Sequence, residues 1–108
     1  MKEIRAVIRP QRLPRLREVL RAVPGFPGMT ISKAVGCGAT ARHVPSTIKE
    51  ELTDFTDKVR IEIVAPDEIA DTLVACIVQV ASTGQTGDGL VWVTEITRAV
   101  FIRKTVGG

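Results

Sequence analysis

"KVRIEIVAPDEIADTLVACIVQV", residues 58–80, contains the change of period on which the fold turns. Val59, Ile61 and Ile63 alternate with Arg60 and Glu62, the pattern of a half-buried strand. Pro66 ends that strand, and the negative charge of Asp67 or Glu68 favours a helix N-terminus. From there Ile69, Leu73, Cys76, Ile77 and Val80 recur at helical spacing. The stretch reads as strand, proline, amphipathic helix.

The same phrase occurs once before. In "KEIRAVIRP", residues 2–10, Ile4, Ala6 and Ile8 face one way and Arg5, Val7 and Arg9 the other, with Pro10 closing the strand. Leu13, Leu16, Val19, Leu20 and Val23 then form a helical stripe whose opposite face is covered by arginines. Pro14 suits the first helical turn, where its missing N–H is harmless. "PGFPG" stops that helix, and "MTISKAVG" reads as a second strand. After the later helix comes a glycine loop, "TGQTGDG", residues 83–89, and then a fourth strand, "LVWV". "AVFIR", residues 99–103, reads as a short edge or intersubunit strand. The order predicts an α+β, ferredoxin-like βαββαβ sandwich, an antiparallel sheet with two helices on one face. Its other face, where Val7 and Val64 sit among charges, suggests contacts between copies.

One segment exceeds what this plan needs. Residues 36–57, "GCGATARHVPSTIKEELTDFTD", join the second and third strands where a short hairpin would suffice. Connections longer than about 12–15 residues in small domains are usually functional or disordered. Thr47 and Glu50 have capping-box spacing, and Ile48, Leu52 and Phe55 follow helical spacing. The expectation is a short amphipathic helix that binds a partner through Ile48, Leu52 and Phe55, or docks on the domain itself.

The 108 residues suit one domain. With 44% hydrophobic and 25% charged residues the chain should fold. Fifteen basic against 12 acidic groups leave +3, clustered early at Arg5, Arg9, Arg12, Arg15, Arg17 and Arg21. That permits an anionic ligand without requiring nucleic acid. No signal peptide and no membrane-spanning apolar run are expected, and two cysteines suit reduced thiols, so the expected location is cytoplasmic.

Five stretches in order carry a family resemblance: "MKEIRAVIRP", "LREVLRAV", "GMTISKAVGCG", "DFTDKVRIEIVAPDE" and "STGQTGDGLVWV". Nearly end to end, the chain resembles the P-II nitrogen-signalling proteins. The resemblance implies a homotrimer that binds adenine nucleotides in clefts between subunits. It also implies control of a target, a membrane transporter or a metabolic enzyme, through the long loop at 36–57. Gly84, Gly87, Asp88 and Gly89 match the family's phosphate-binding loop, where glycines let backbone N–H groups approach an anion. Thr30, Gly36, Cys37, Gly38, Lys58, Val64 and Arg103 complete the nucleotide-binding residues that the likeness implies.

The sequence departs from the family pattern in four places. Leu90 stands where a lysine usually follows the last glycine, and Phe101 where the closing strand carries the first of two arginines. Arg103 keeps the second arginine, with Lys104 beside it. Charge-assisted hydrogen bonds contribute roughly 1.5–3 kcal/mol each, so these losses favour ADP or AMP over ATP. Thr40 replaces the glutamine that would coordinate Mg²⁺ and help hold 2-oxoglutarate, which puts both in doubt, although Lys58, the partner of that acid, is present. There is no tyrosine, so the uridylylation of some relatives has no acceptor here.

Other readings carry less. Cys37 and His43 invite a metal-responsive or structural trimer of the same architecture, like the divalent-cation-tolerance proteins, but a zinc site normally uses three or four ligands. RNA readers of this fold stack bases on sheet aromatics, and Phe26, Phe55, Phe101 and Trp92 form no such motif. An acylphosphatase needs an asparagine, and the chain has none. One histidine and no nucleophile constellation argue against an enzyme.

Overall fold

A computed structural model describes residues 1–38 and 55–103. Four strands form one antiparallel sheet: β1 (Lys2–Ile8), β2 (Thr30–Cys37), β3 (Phe55–Ala65) and β4 (Gly89–Glu95), in the order β2–β3–β1–β4. After a 3₁₀ turn at Pro10–Arg12, helix α1 (Leu13–Arg21) leads back toward β2, and α2 (Asp67–Ala81) links β3 to β4. This is the expected βαββαβ arrangement.

The alternation seen in the sequence decides which face each strand buries. Register sets Ile4 opposite Ile63 and Val93, Ala6 opposite Ile61 and Val91, and Ile8 opposite Val59 and Gly89. Directly paired residues share a face, so these positions form one apolar layer. Leu16 and Leu20 of α1, and Ala70, Leu73, Ile77 and Ala81 of α2, close over it. Ile4, Leu16, Leu20 and Leu73 are fully buried, and burying each such side chain stabilises the fold by roughly 1.5–3 kcal/mol. Ala70 and Ala81 escape the sequence reading because alanine has little hydrophobic signal; their small size lets α2 approach the sheet. Ile69, Cys76 and Val80 only flank that contact.

Three expectations change. Residues 99–103 pair with no strand among the described residues, so they form no edge strand of this sheet; an intersubunit strand would need a second copy. Phe55 begins β3 opposite Cys37 and is not the end of a helical stripe; backbone pairing has prevailed over the helical spacing. Gly36, Cys37 and residues 55–57 of the long segment likewise belong to strands. Ile48, Leu52, Thr40 and His43 lie outside the described residues.

Much apolar surface remains open. Ile31, Val35 and Phe55 on one side and Leu90, Trp92 and Val93 on the other are exposed, as are Val100, Phe101 and Ile102 of the trailing segment. β2 and β4 are the sheet's two edges, so both margins combine unpaired backbone with apolar side chains.

Candidate functional site

The register of β1 with β4 creates one site. Ile8 pairs with Gly89, so the next residue of one strand, Arg9, meets the preceding residue of the other, Asp88. Arg9 Nε donates to Asp88 Oδ1 at 3.1 Å, and its Nη2 donates to the Thr86 carbonyl at 2.7 Å. Asp88 Oδ2 accepts from the backbone N–H of Thr83 at 2.7 Å and of Gly84 at 3.1 Å, while Oδ1 also accepts from the Thr83 hydroxyl. Lys58 Nζ, from β3, donates to the Gly87 carbonyl. Arg12 Nε donates at 2.9 Å to the carbonyl of Val80, where the ending helix α2 leaves acceptors open. Three cations from distant parts of the chain therefore hold residues 80–88.

Gly87 and Gly89 both hold left-handed backbone here, and at Gly89 space is also lacking. Gly87 has φ +91°, and a Cβ there would lie 3.3 Å from Arg9 Nη2 and 3.9 Å from Lys58 Nζ. Gly89 has φ +117°, and a Cβ would lie 1.8 Å from the Val7 carbonyl oxygen. Gly36 closes the group from β2, its missing side chain making room for the Lys58 stem. Cys37 and Gly38, which follow it, are exposed.

The Thr83 hydroxyl and backbone N–H, followed by Arg9, hold the Asp88 carboxyl well below the usual carboxylate range. A carboxylate whose native pKa is depressed stabilises the fold above its ordinary titration at about pH 4, and that contribution disappears as pH falls through the native value. The stability gap between wild type and Asp88→Asn should therefore be complete at about pH 6 and shrink progressively below about pH 4. Urea titrations of both proteins across that range test this; a gap independent of pH would contradict it.

The remaining candidates assemble elsewhere. Thr30, Val64 and Phe101 line a cavity of about 430 Å³ with Glu3, Pro27, Gly28, Met29 and Glu62. Arg103 lies over the Phe101 ring, 5.9 Å from its centroid, and does not accompany the glycine loop of its own chain. Along β3, Val64 is six residues from Lys58, about 20 Å at the rise of a strand. Gly36, Lys58, Gly84, Gly87, Asp88 and Gly89 thus form one group, and Thr30, Val64, Phe101 and Arg103 another.

A family model for the nitrogen regulatory protein P-II matches residues 1–106. The chain belongs to the P-II family. It is 42% identical over 104 residues to nitrogen regulatory protein P-II 1 of Escherichia coli strain K12, covering 95% of this chain and 92% of that protein. Identity is 41% to the nitrogen regulatory protein P-II of Klebsiella oxytoca and 39% to that of Haemophilus influenzae, with the same coverage. P-II proteins are signal-transduction regulators rather than enzymes, and the family binds adenine nucleotides.

In this P-II chain Leu90 projects from the sheet face away from the helices, opposite Val7, and is 60% exposed. Among the described residues no group of three or more histidines, cysteines, aspartates or glutamates could hold a metal. None of the described helices is long and apolar enough to cross a membrane. Arg9 and Arg12 are the site residues the sequence reading missed. Their side chains are informative only once β1 and β4 are paired, and their spacing resembles any basic surface.

Proposed function

We propose that this P-II protein is a cytoplasmic homotrimer that binds an adenine nucleotide, ADP or AMP in preference to ATP, between subunits. Occupancy would set the conformation of residues 36–57, which engage a membrane transporter or metabolic enzyme. The observation that carries the reading is the separation of the two groups of candidate residues. A cavity with Val64, Met29 and Phe101 suits a flat base, and the glycine loop suits phosphates, but about 20 Å exceeds what one nucleotide spans on one chain. Two copies could bring one chain's cavity to the other chain's loop. The apolar sheet margins would then be covered.

The phosphate preference follows from charge. Leu90 adds none, Phe101 forms a wall of the cavity, and Asp88 already occupies the N–H groups of Thr83 and Gly84. Lys58 links the loop to the root of the effector segment, since it bonds Gly87 and packs against Gly36. A ligand that alters this contact can therefore favour one arrangement of residues 36–57, provided it binds the two arrangements unequally.

Titration calorimetry with AMP, ADP and ATP, alongside mass measurement in solution, tests the proposal. ADP should bind at least as tightly as ATP to a species three chains in mass. ATP binding tenfold tighter than ADP would reject the preference, and no adenine-nucleotide binding would reject the reading.

A further inference from the structure

Arg9 continues the alternation that places Arg5 and Val7 on the sheet face away from the helices. Lys58 and Leu90 project from the same face. Val7 pairs with Leu90, so Arg9 leaves that face one pleat repeat further on, about 7 Å away, beside Asp88 and Gly87. A guanidinium has five N–H donors in a planar fork. Arg9 uses Nε on Asp88 and one Nη2 hydrogen on the Thr86 carbonyl; Nη1 meets no acceptor among the described residues. Its side chain is 30% exposed, and Gly87, whose added Cβ would lie 3.3 Å from Nη2, places no side chain against it.

Asp88 is satisfied without Arg9. The Thr83 and Gly84 N–H groups and the Thr83 hydroxyl all donate to its carboxylate. The Arg9 Nε contact is thus an addition to a carboxylate already satisfied, while Nη2 bonds the Thr86 carbonyl. Around Gly87, Arg9 and Lys58 against Asp88 leave one positive charge uncompensated. Lys58 Nζ is directed at the Gly87 carbonyl, so the fork with spare donors belongs to Arg9.

We infer that Arg9 is the side-chain cation with which the glycine loop grips the terminal phosphate of a nucleoside diphosphate. This rests on the nucleotide-binding reading above, and it selects ADP over AMP as the ligand. A planar fork matches two phosphate oxygens, a geometry that an ammonium cannot copy. With the base held in the Thr30, Val64 and Phe101 cavity of a second copy, the terminal phosphate is the group that reaches furthest into the loop. Arg9 holds it while its bond to Thr86 keeps the loop in register.

Calorimetry of the full chain with AMP and ADP, on wild type, Arg9→Gln and Arg9→Lys, separates this from a purely structural role. Arg9→Gln should weaken ADP at least tenfold and AMP no more than threefold. Arg9→Lys should recover part of the ADP loss, because charge returns without the fork. Equal weakening of both nucleotides in Arg9→Gln would mean that the loop had merely been distorted, and would overturn the inference. Unchanged ADP affinity would overturn it too. If Arg9→Gln does not fold, Arg9→Lys alone decides, by losing affinity for ADP more than for AMP or by failing to. Wild type that binds neither nucleotide brings down the functional reading itself, a result distinct from wild type that binds ADP with no dependence on Arg9.

Discussion

A chain carrying both Leu90→Lys and Phe101→Arg should bind ATP at least tenfold more tightly than wild type, with a smaller gain for ADP and a loss for AMP. Each new cation can make a charge-assisted hydrogen bond of roughly 1.5–3 kcal/mol. Leu90 is 60% exposed and Phe101 42%, so solvent screening reduces that figure. Even a total of about 1.4 kcal/mol is a factor of ten. The lysine would project beside Val7, on the face that also presents Arg9 and Lys58. Phe101→Arg would also remove an aromatic wall from the cavity of Thr30 and Val64, so the single substitutions should separate. Leu90→Lys alone should improve ATP without weakening AMP, whereas Phe101→Arg alone should weaken AMP. Calorimetry of the singles and the double against all three nucleotides tests this. No gain for ATP in the double would mean that the glycine loop is only a turn.

Gly89→Ala should be the most damaging substitution in the loop, at about 3–5 kcal/mol of stability. Positive φ strains an alanine by about 1–3 kcal/mol, and crowding in a closely packed place adds about 1–3 kcal/mol or more. Here the obstacle is backbone: the new methyl would lie 1.8 Å from the Val7 carbonyl oxygen, so β1 and β4 would have to separate. Separating them also parts Arg9 from Asp88, whose contact depends on the Ile8–Gly89 pair. Gly84→Ala is the matched control. Its φ of +80° is equally left-handed, but nothing lies within 4 Å of the added carbon, so only the strain of about 1–2 kcal/mol should appear. Denaturant unfolding of both variants gives the comparison. A loss in Gly89→Ala no greater than in Gly84→Ala would show that the loop absorbs the clash.

Half of the sheet can be read in advance because β1 and β3 each carry their own instruction. Ile4, Ala6 and Ile8, or Val59, Ile61 and Ile63, alternate with polar residues, and period two assigns the buried face before any partner is known. The helices follow the same logic at their own period, with Leu16, Leu20, Leu73 and Ile77 all at the core. The reading failed where a strand depends on its neighbour. "AVFIR" has strand-like residues but joins no edge of the sheet among the described residues, leaving only its intersubunit reading, while Phe55 fits a helical spacing yet pairs with Cys37. Backbone hydrogen bonds need a second strand, and single-segment periodicity does not supply one.

The glycine loop divides along the same line. Its glycines were visible as residue types that let backbone donors face an anion. How the loop is held was not. Arg9 and Asp88 are 79 positions apart, Lys58 and Gly87 are 29, and Arg12 and Val80 are 68. No local pattern connects such pairs; sheet register and helix packing do.

The sequence by itself determined the order of elements, the buried faces of β1, β3 and the two helices and the residue types at 83–89, because those properties depend on short-range periodicity and residue type. Only the tertiary structure decided that Arg9, Lys58 and Asp88 share one loop while Thr30, Val64 and Phe101 share a cavity at the other end of β3. That division arises from antiparallel pairing, which brings residues distant in sequence within hydrogen-bond reach and sets others about 20 Å apart along a single strand.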